Sequence, residues 1–368
     1  MRVLLVSHTY CAPINHAKLE SLAAHVDLTL LAPRNWQDTL FVIRPDTQPR
    51  LYQQHFLWVG LNGRLMYHVY SPRQLATILQ STRPEVVYVE EEPLSLVFAE
   101  FAAFKKYFGY HLVGFTWENL KQHYGFPGLA RYTLSHADGF IAGNTEAKEV
   151  LRWRGYCGPI TVTPQLGLDP DFFRPQRNEA LRQTLNLPGF TVGYVGRMVA
   201  EKGLCTLLRA VARVPEITLV MVGQGPLLPQ LHALTQQLNI ESRVRWQNTV
   251  PHEQIPAWLN SFDALVLPSE PAPRWKEQFG HVLIESMACG VPVIGSDSGA
   301  IPEVIGDAGL IFHAGDETTL QTALQKLQYN SELRAYLAQH GRERVLTHYT
   351  HAHIAAVNAA FLRQVSKK

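Results

Sequence analysis

Short runs of Val, Ile, Leu and Phe, each nearly continuous in apolar character, punctuate the chain at regular intervals. They fall at residues 2–7, 27–32, 85–90, 111–117, 139–142 and 160–163, and again at 191–196, 218–223, 243–248, 264–268, 292–296 and 309–312. Amphipathic stretches of helical period separate them. Apolar runs without polar alternation predict strands buried on both faces, and their alternation with helices predicts parallel sheets. Two such sets predict two doubly wound α/β domains. Ligands of these sheets lie beyond the carboxyl ends of the strands.

The segment Leu166-Gly167-Leu168-Asp169-Pro170-Asp171-Phe172-Phe173-Arg174-Pro175 interrupts the pattern, and its prolines and glycine mark a boundary. The expected division is 1–170, 171–350 and a final helical stretch, 351–368. A chain of 368 residues fits two domains of ordinary size. Its 46% hydrophobic and 17% charged residues exclude a disordered protein, and a net charge of +2 gives no global field for nucleic acid. Four scattered cysteines, Cys11, Cys157, Cys205 and Cys289, form no C-x-x-C pair, which predicts reduced thiols and neither a disulfide frame nor a zinc site. The opening run at 1–6 is too short for a signal peptide. No stretch reaches the ~18 apolar residues of a spanning helix. The nearest approach, 94–108, is broken by Glu100, Lys105 and Lys106, and its aromatics at helical spacing predict a core helix. A cytoplasmic protein is expected.

Chemistry concentrates in the second half. Glu277 and Glu285 stand eight positions apart around Phe279-Gly280-His281. Gly280 lets the backbone turn and approach a ligand closely. A helix starting near His281 directs free N–H groups and the positive end of its dipole at a phosphate. Glu285, one turn in, is placed to accept from ribose hydroxyls, and Glu277, on the loop before, from a hexose. The His281 side chain is either part of this or filler on the first turn. Gly193-Tyr194-Val195-Gly196-Arg197, followed by Glu201-Lys202-Gly203, puts two cations just past a strand. They either stabilise charge on a departing diphosphate or cap a βα turn as a surface pair. Gly223-Gln224-Gly225-Pro226 begins like a dinucleotide fingerprint but has Leu228 where the third glycine belongs, so it reads first as a tight turn. Asp169-Pro170-Asp171 spells a metal signature inside a proline-bounded turn, where a solvated loop is the expectation. Pro302 suits the first turn of a helix after Ser296-Asp297-Ser298-Gly299, and Glu303 beside it is expected to be structural.

Residues 191–312 resemble glycosyltransferase family 4, retaining enzymes of the GT-B fold. The matching motifs are Gly196-Arg197 with Glu201-Lys202-Gly203, Gly223-Gln224-Gly225-Pro226, Glu277 to Glu285, and Ser296 to Ile305. The resemblance implies two Rossmann-like domains facing across a cleft, the first for the acceptor, with the last helix crossing back to it. It implies transfer of a hexose from a nucleotide diphosphate sugar, UDP- or GDP-linked, to a hydroxyl on a glycan or lipid-linked glycan. No metal or other cofactor is implied. Donor-binding residues would be Gly196, Arg197, Lys202, Gly223, Asn248, Glu277, Phe279, Gly280, His281 and Glu285. Glu277, Arg197, Lys202 and Glu118 would be catalytic. A sucrose-synthase- or phosphorylase-like enzyme, or a non-catalytic nucleotide-sugar binder, is the alternative.

The first half departs from that family. Many members have a glycine pair after the first strand; this chain has Ser7-His8-Thr9-Tyr10-Cys11-Ala12-Pro13-Ile14-Asn15. Many have a histidine after the strand at 111–117; here Glu118 follows, and the nearest histidines are His111 and His123. Glu118 either takes that histidine's place or neighbours the cap of the next helix. Glu90-Glu91-Glu92-Pro93 puts Glu91 where a histidine often stands. Three adjacent carboxylates repel, so one is expected to face solvent. Residues 34–70, with Tyr52, Phe56, Trp58, Tyr67 and Tyr70 and an Asn62-Gly63 turn, predict a hairpin on the first domain; framing the acceptor or meeting the inner face of a membrane is the alternative.

Overall fold

The computed structural model describes residues 1–37, 42–122 and 127–367. The chain forms two compact units, one of Met1–Gly167 with His351–Lys368, the other of Leu168–Thr350.

The first unit is built on strands β1 (Arg2–Val6), β2 (Asp27–Pro33), β3 (Gln53–Leu57), β4 (Val86–Val89), β5 (His111–Thr116), β6 (Gly139–Ala142) and β7 (Ile160–Val162). They lie in the order β7-β6-β5-β4-β1-β2-β3, all parallel. Successive side chains serve opposite cores, as the period of a strand requires. Val3 and Leu5 face one cluster with Leu19 and Leu22 of helix α1 (His16–Ala23) and with Ala355, Ala359, Leu362 and Val365 of the last helix. Leu4 and Val6 face the other, with Phe98 and Phe101 of α2 (Leu96–Phe108). The side-chain oxygen of Ser95 accepts the Phe98 N–H at the start of α2, and Gly109, at φ +72°, ends it. In the last helix, Ile354, Leu362 and Val365 are fully buried, each contributing about 2 kcal/mol of apolar burial.

Two expectations need correcting. Residues 53–57 are a parallel edge strand, with Thr29 opposite Gln53, and not an arm of a hairpin. The polar sequence Gln-Gln-His-Phe-Leu hid it, because an edge strand has less apolar contact to encode. The antiparallel pair is smaller, Val59–Gly60 against Val69–Tyr70, with Leu61 and Gly63 at positive φ between them. The Glu90–Glu92 run also sends no carboxylate free to solvent: all three are hydrogen-bonded, to different partners described below.

The second unit carries β8 (Phe190–Val195), β9 (Ile217–Val222), β10 (Val244–Gln247), β11 (Ala264–Leu267), β12 (Val293–Ser296) and β13 (Leu310–Phe312). Their order is β10-β9-β8-β11-β12-β13, again all parallel. Both units thus share one device. The chain winds outward from a central strand, then returns to wind the other way. The reversal falls between β1 and β4 in the first unit and between β8 and β11 in the second. At such a switch point the two connections diverge and leave a crevice.

Candidate active site

At the second switch point, the loop after β8 meets the loop 268–280 after β11. Lys202 donates to Glu277 Oε2 at 2.5 Å, and Ser269 Oγ donates to the same oxygen at 2.7 Å. Both side chains of the ion pair are largely shielded, so each charge depends on the other. Lys202 Nζ also lies 5.0 Å from the Trp275 ring centroid. The loop is tied to its neighbours by backbone. Glu270 N–H donates to Glu201 O at 2.9 Å, and Ala300 N–H to Glu277 O at 2.9 Å. Gly299, at φ +58°, permits the second contact: a Cβ there would sit 2.1 Å from Glu277 O.

Tyr194 fixes the neighbouring cation's backbone, its hydroxyl donating to Arg197 O at 2.7 Å. Burial pushes the Tyr194 phenol up, the Glu277 charge adding and Arg197 opposing, so both charged groups act on this one residue. The Arg197 side chain is exposed and makes no ion pair among the described residues. Gly196 and Gly223 pack back to back, where a Cβ on Gly223 would lie 1.9 Å from Gly196 O. Gly223 N–H donates to Gln247 O at 2.9 Å, which brings three strand ends together, with Asn248 exposed just beyond the third. The Gly-x-Gly turn is therefore accounted for by backbone packing.

Helix α3 (His281–Ala288) follows, entered through Gly280 at φ +82°. Leu283 N–H turns back to Gly280 O, while the helix's opening end carries the dipole's positive pole. Phe279 is buried against the rings of His281 and Tyr349 and helps set that turn, while the His281 side chain is exposed. Glu285, one turn in, lies 3.9 Å from His252 Nε2, and His252 stacks on Phe172. Ser269, Trp275 and His252 were missed in the sequence, whereas Gly299 lay within a matching motif. The Pro268-Ser269 step at the end of β11 was the available signal for the first.

Glu118 belongs to the first unit. Its Oε1 accepts the Leu120 N–H at 2.9 Å, closing a local turn, and its own N–H donates to Thr116 Oγ1 at 3.1 Å. His123 lies outside the described residues. The three carboxylates of the β4 end diverge. Glu90 is buried with Lys18, Tyr10 and Gln165. Glu91 is buried with His8: the His8 backbone N–H reaches Oε1 at 2.8 Å, and Nδ1 lies 2.7 Å and 2.9 Å from the two carboxylate oxygens. Glu92 accepts from Thr116 Oγ1 at 2.6 Å and the Trp117 N–H at 2.8 Å. His8 and His68 carried no signal that sequence reasoning used.

Asp169 accepts the Asp171 N–H at 2.8 Å in an exposed turn. Among the described residues no group of three or more His, Cys, Asp or Glu is arranged to hold a metal ion. Nor, among them, is any helix long and apolar enough to cross a membrane.

Residues 177–344 match the family described as "Glycosyl transferases group 1". The chain is 31% identical over 224 residues to a D-inositol 3-phosphate glycosyltransferase of Stackebrandtia nassauensis, covering 56% of this chain and 49% of that protein. It is 29% identical over 211 residues to a GDP-mannose-dependent alpha-(1-6)-phosphatidylinositol monomannoside mannosyltransferase of Mycolicibacterium smegmatis, covering 54% and 55%. The chain thus spans about half the length of these curated relatives. In fold it is similar to Anabaena HepE, solved in complex with UDP, with a TM-score of 0.77 at 18% identity over 99% of this chain and 100% of that one.

Proposed function

We propose that this chain, whose residues 177–344 match the glycosyl transferases group 1, moves a hexose from a nucleotide diphosphate sugar to a hydroxyl acceptor in the manner of family 4. The observation that carries this reading is the convergence of Lys202, Glu277 and Ser269 at the second switch point, with Arg197, which makes no ion pair among the described residues, exposed on the same loop as Lys202. In the proposal, Arg197 and Lys202 take the charge that grows on the β-phosphate as the glycosidic bond breaks, together with the opening end of α3. Glu277, freed in part from Lys202 as phosphate arrives, accepts from hexose hydroxyls, and Glu285 from the ribose. Attack comes from the same face within a tight ion pair, which retains the anomeric configuration, and the leaving diphosphate helps take the acceptor's proton. GDP is named by one curated relative and UDP by the similar solved structure, so UDP- and GDP-sugars are the donors to try first.

Nucleoside-diphosphate release measured across UDP-, GDP- and ADP-sugars tests the reading. One donor is expected to release its diphosphate, and Glu277→Ala to lose that activity by ~10³-fold while its melting profile stays cooperative. Near-normal release in the variant would sink the site assignment.

We further propose a peripheral contact of the first unit with an anionic lipid surface. Trp58, Leu61, Leu65 and Tyr67 are exposed within ten residues, and Arg34 stacks on Trp58 at 5.4 Å. Co-sedimentation with vesicles containing phosphatidylglycerol, lost in Trp58→Ser, is the expected result; equal sedimentation of the variant would overturn it.

A further inference from the structure

The first switch point holds a second constellation, built from two loops 83 positions apart. We infer that His8 is the acceptor-binding group of this protein, receiving the reacting hydroxyl of a sugar or polyol at its Nε2. The inference rests on the glycosyl-transfer reading above and adds to it the side chain of the first unit that receives the acceptor's hydroxyl.

A carboxylate can only accept, so Nδ1 carries the proton and donates to Glu91. In that tautomer Nε2 is the ring's acceptor. That atom makes no hydrogen bond among the described residues, and the side chain is 22% exposed. Glu91 is the positioning residue. Its carboxylate is buried, it grips both the ring and the backbone N–H of His8, and it fixes the tautomer as a buried partner of a working histidine does.

The surrounding groups leave Glu91 to His8. His68 approaches Glu91 Oε1 to 3.8 Å, but its Nδ1 donates to Leu65 O, and burial lowers its pKa and keeps it neutral. Among the described residues its fully buried Nε2 has no hydrogen-bond partner. Burial pushes the Cys11 thiol up to about 12, the Glu91 charge adding, so it stays protonated. Trp36 walls one side, its ring centroid 4.6 Å from that of His8. The location is the crevice where the winding of the sheet reverses, beyond the carboxyl ends of β1 and β4. Only binding is inferred: the hydroxyl donates its proton to Nε2 in a hydrogen bond and no covalent step is assigned.

The test uses the full chain labelled with ¹⁵N-histidine, with methyl α-glucopyranoside, methyl α-mannopyranoside and myo-inositol as probes. At least one probe is expected to shift the His8 Nε2 resonance while Nδ1 stays in place. His8→Asn, whose amide N–H stands where Nδ1 does and keeps a donor for Glu91 while removing Nε2, is expected to weaken that probe at least about tenfold, the cost of one lost hydrogen bond. Nucleoside-diphosphate affinity should not change in that variant. Glu91→Gln should give a mixture of His8 tautomers, a signature that loss of packing alone would not produce. No Nε2 shift with any probe, or a His8→Asn protein that binds them as wild type does, overturns the inference. Failure of the glycosyl-transfer reading looks different: no nucleotide sugar is turned over, whatever His8 does.

Discussion

The two switch points use the same topology for different electrostatics. In the second unit a lysine and a glutamate face each other as an ion pair. In the first, a histidine faces a glutamate, and a buried lysine–glutamate pair, Lys18–Glu90, stands one residue away without touching that dyad. A locked ammonium–carboxylate pair supplies fixed charge, which suits an anionic group whose charge grows during reaction. An imidazole with a set tautomer offers an acceptor nitrogen, which suits a hydroxyl. The fold thus sets where chemistry can occur, and the pair placed there decides which partner it recognises.

The comparison is tested hardest by removing one partner from the fixed pair. Lys202→Ala leaves Glu277 shielded without its cation, which should cost roughly 3 kcal/mol of stability in the second unit. Transfer should fall by ~10³-fold, since the diphosphate loses a cation as well. The double variant Lys202→Ala with Glu277→Gln should recover most of the stability and none of the activity. Denaturant unfolding and product release on the same preparations read both. If the single variant were as stable as wild type, the pair would not be held as tightly as its geometry implies, and the contrast between the units would weaken.

What the sequence made legible follows how local each feature is. Gly280, His281 and Glu285 share one loop and the helix it feeds, so spacing alone placed them together. The twelve predicted strands recur because buried parallel strands write themselves as apolar runs. Lys202 and Glu277 are 75 positions apart, and their meeting was read from resemblance and not from spacing. His8 and Glu91 are further apart still; the resemblance singled out Glu91, where a histidine often stands, and nothing in it pointed to His8. Only the strand order, β4 beside β1, brings them together. The Glu90–Glu92 expectation failed for a related reason. Repulsion between neighbours was visible in sequence, whereas Lys18, His8 and Thr116, which relieve it, come from three other elements.

The smallest effect concerns how adjustable the first switch point is. Burial pushes the Glu92 carboxyl up to about 7, against the opposing hydrogen bonds from Thr116 and Trp117 and with help from Glu118. The folded state therefore holds a proton that an unfolded glutamate, with a value of 4.5, has released. The stability this contributes is fully present below 4.5 and is lost as pH rises through about 7. Across that window the loss can reach roughly 3 kcal/mol in the first unit. Glu100 on α2, also pushed up to about 7 by burial, adds a slope of the same sign. Glu92→Gln should thus flatten the profile in part, and Glu92→Gln with Glu100→Gln should flatten it nearly completely, as read by amide exchange in β4 and β5 at pH 5 and pH 7.5. A wild-type profile already flat would mean that the Thr116 and Trp117 donors hold Glu92 ionised throughout. The first switch point would then be as fixed in charge as the second, and the distinction between them would rest on His8 alone.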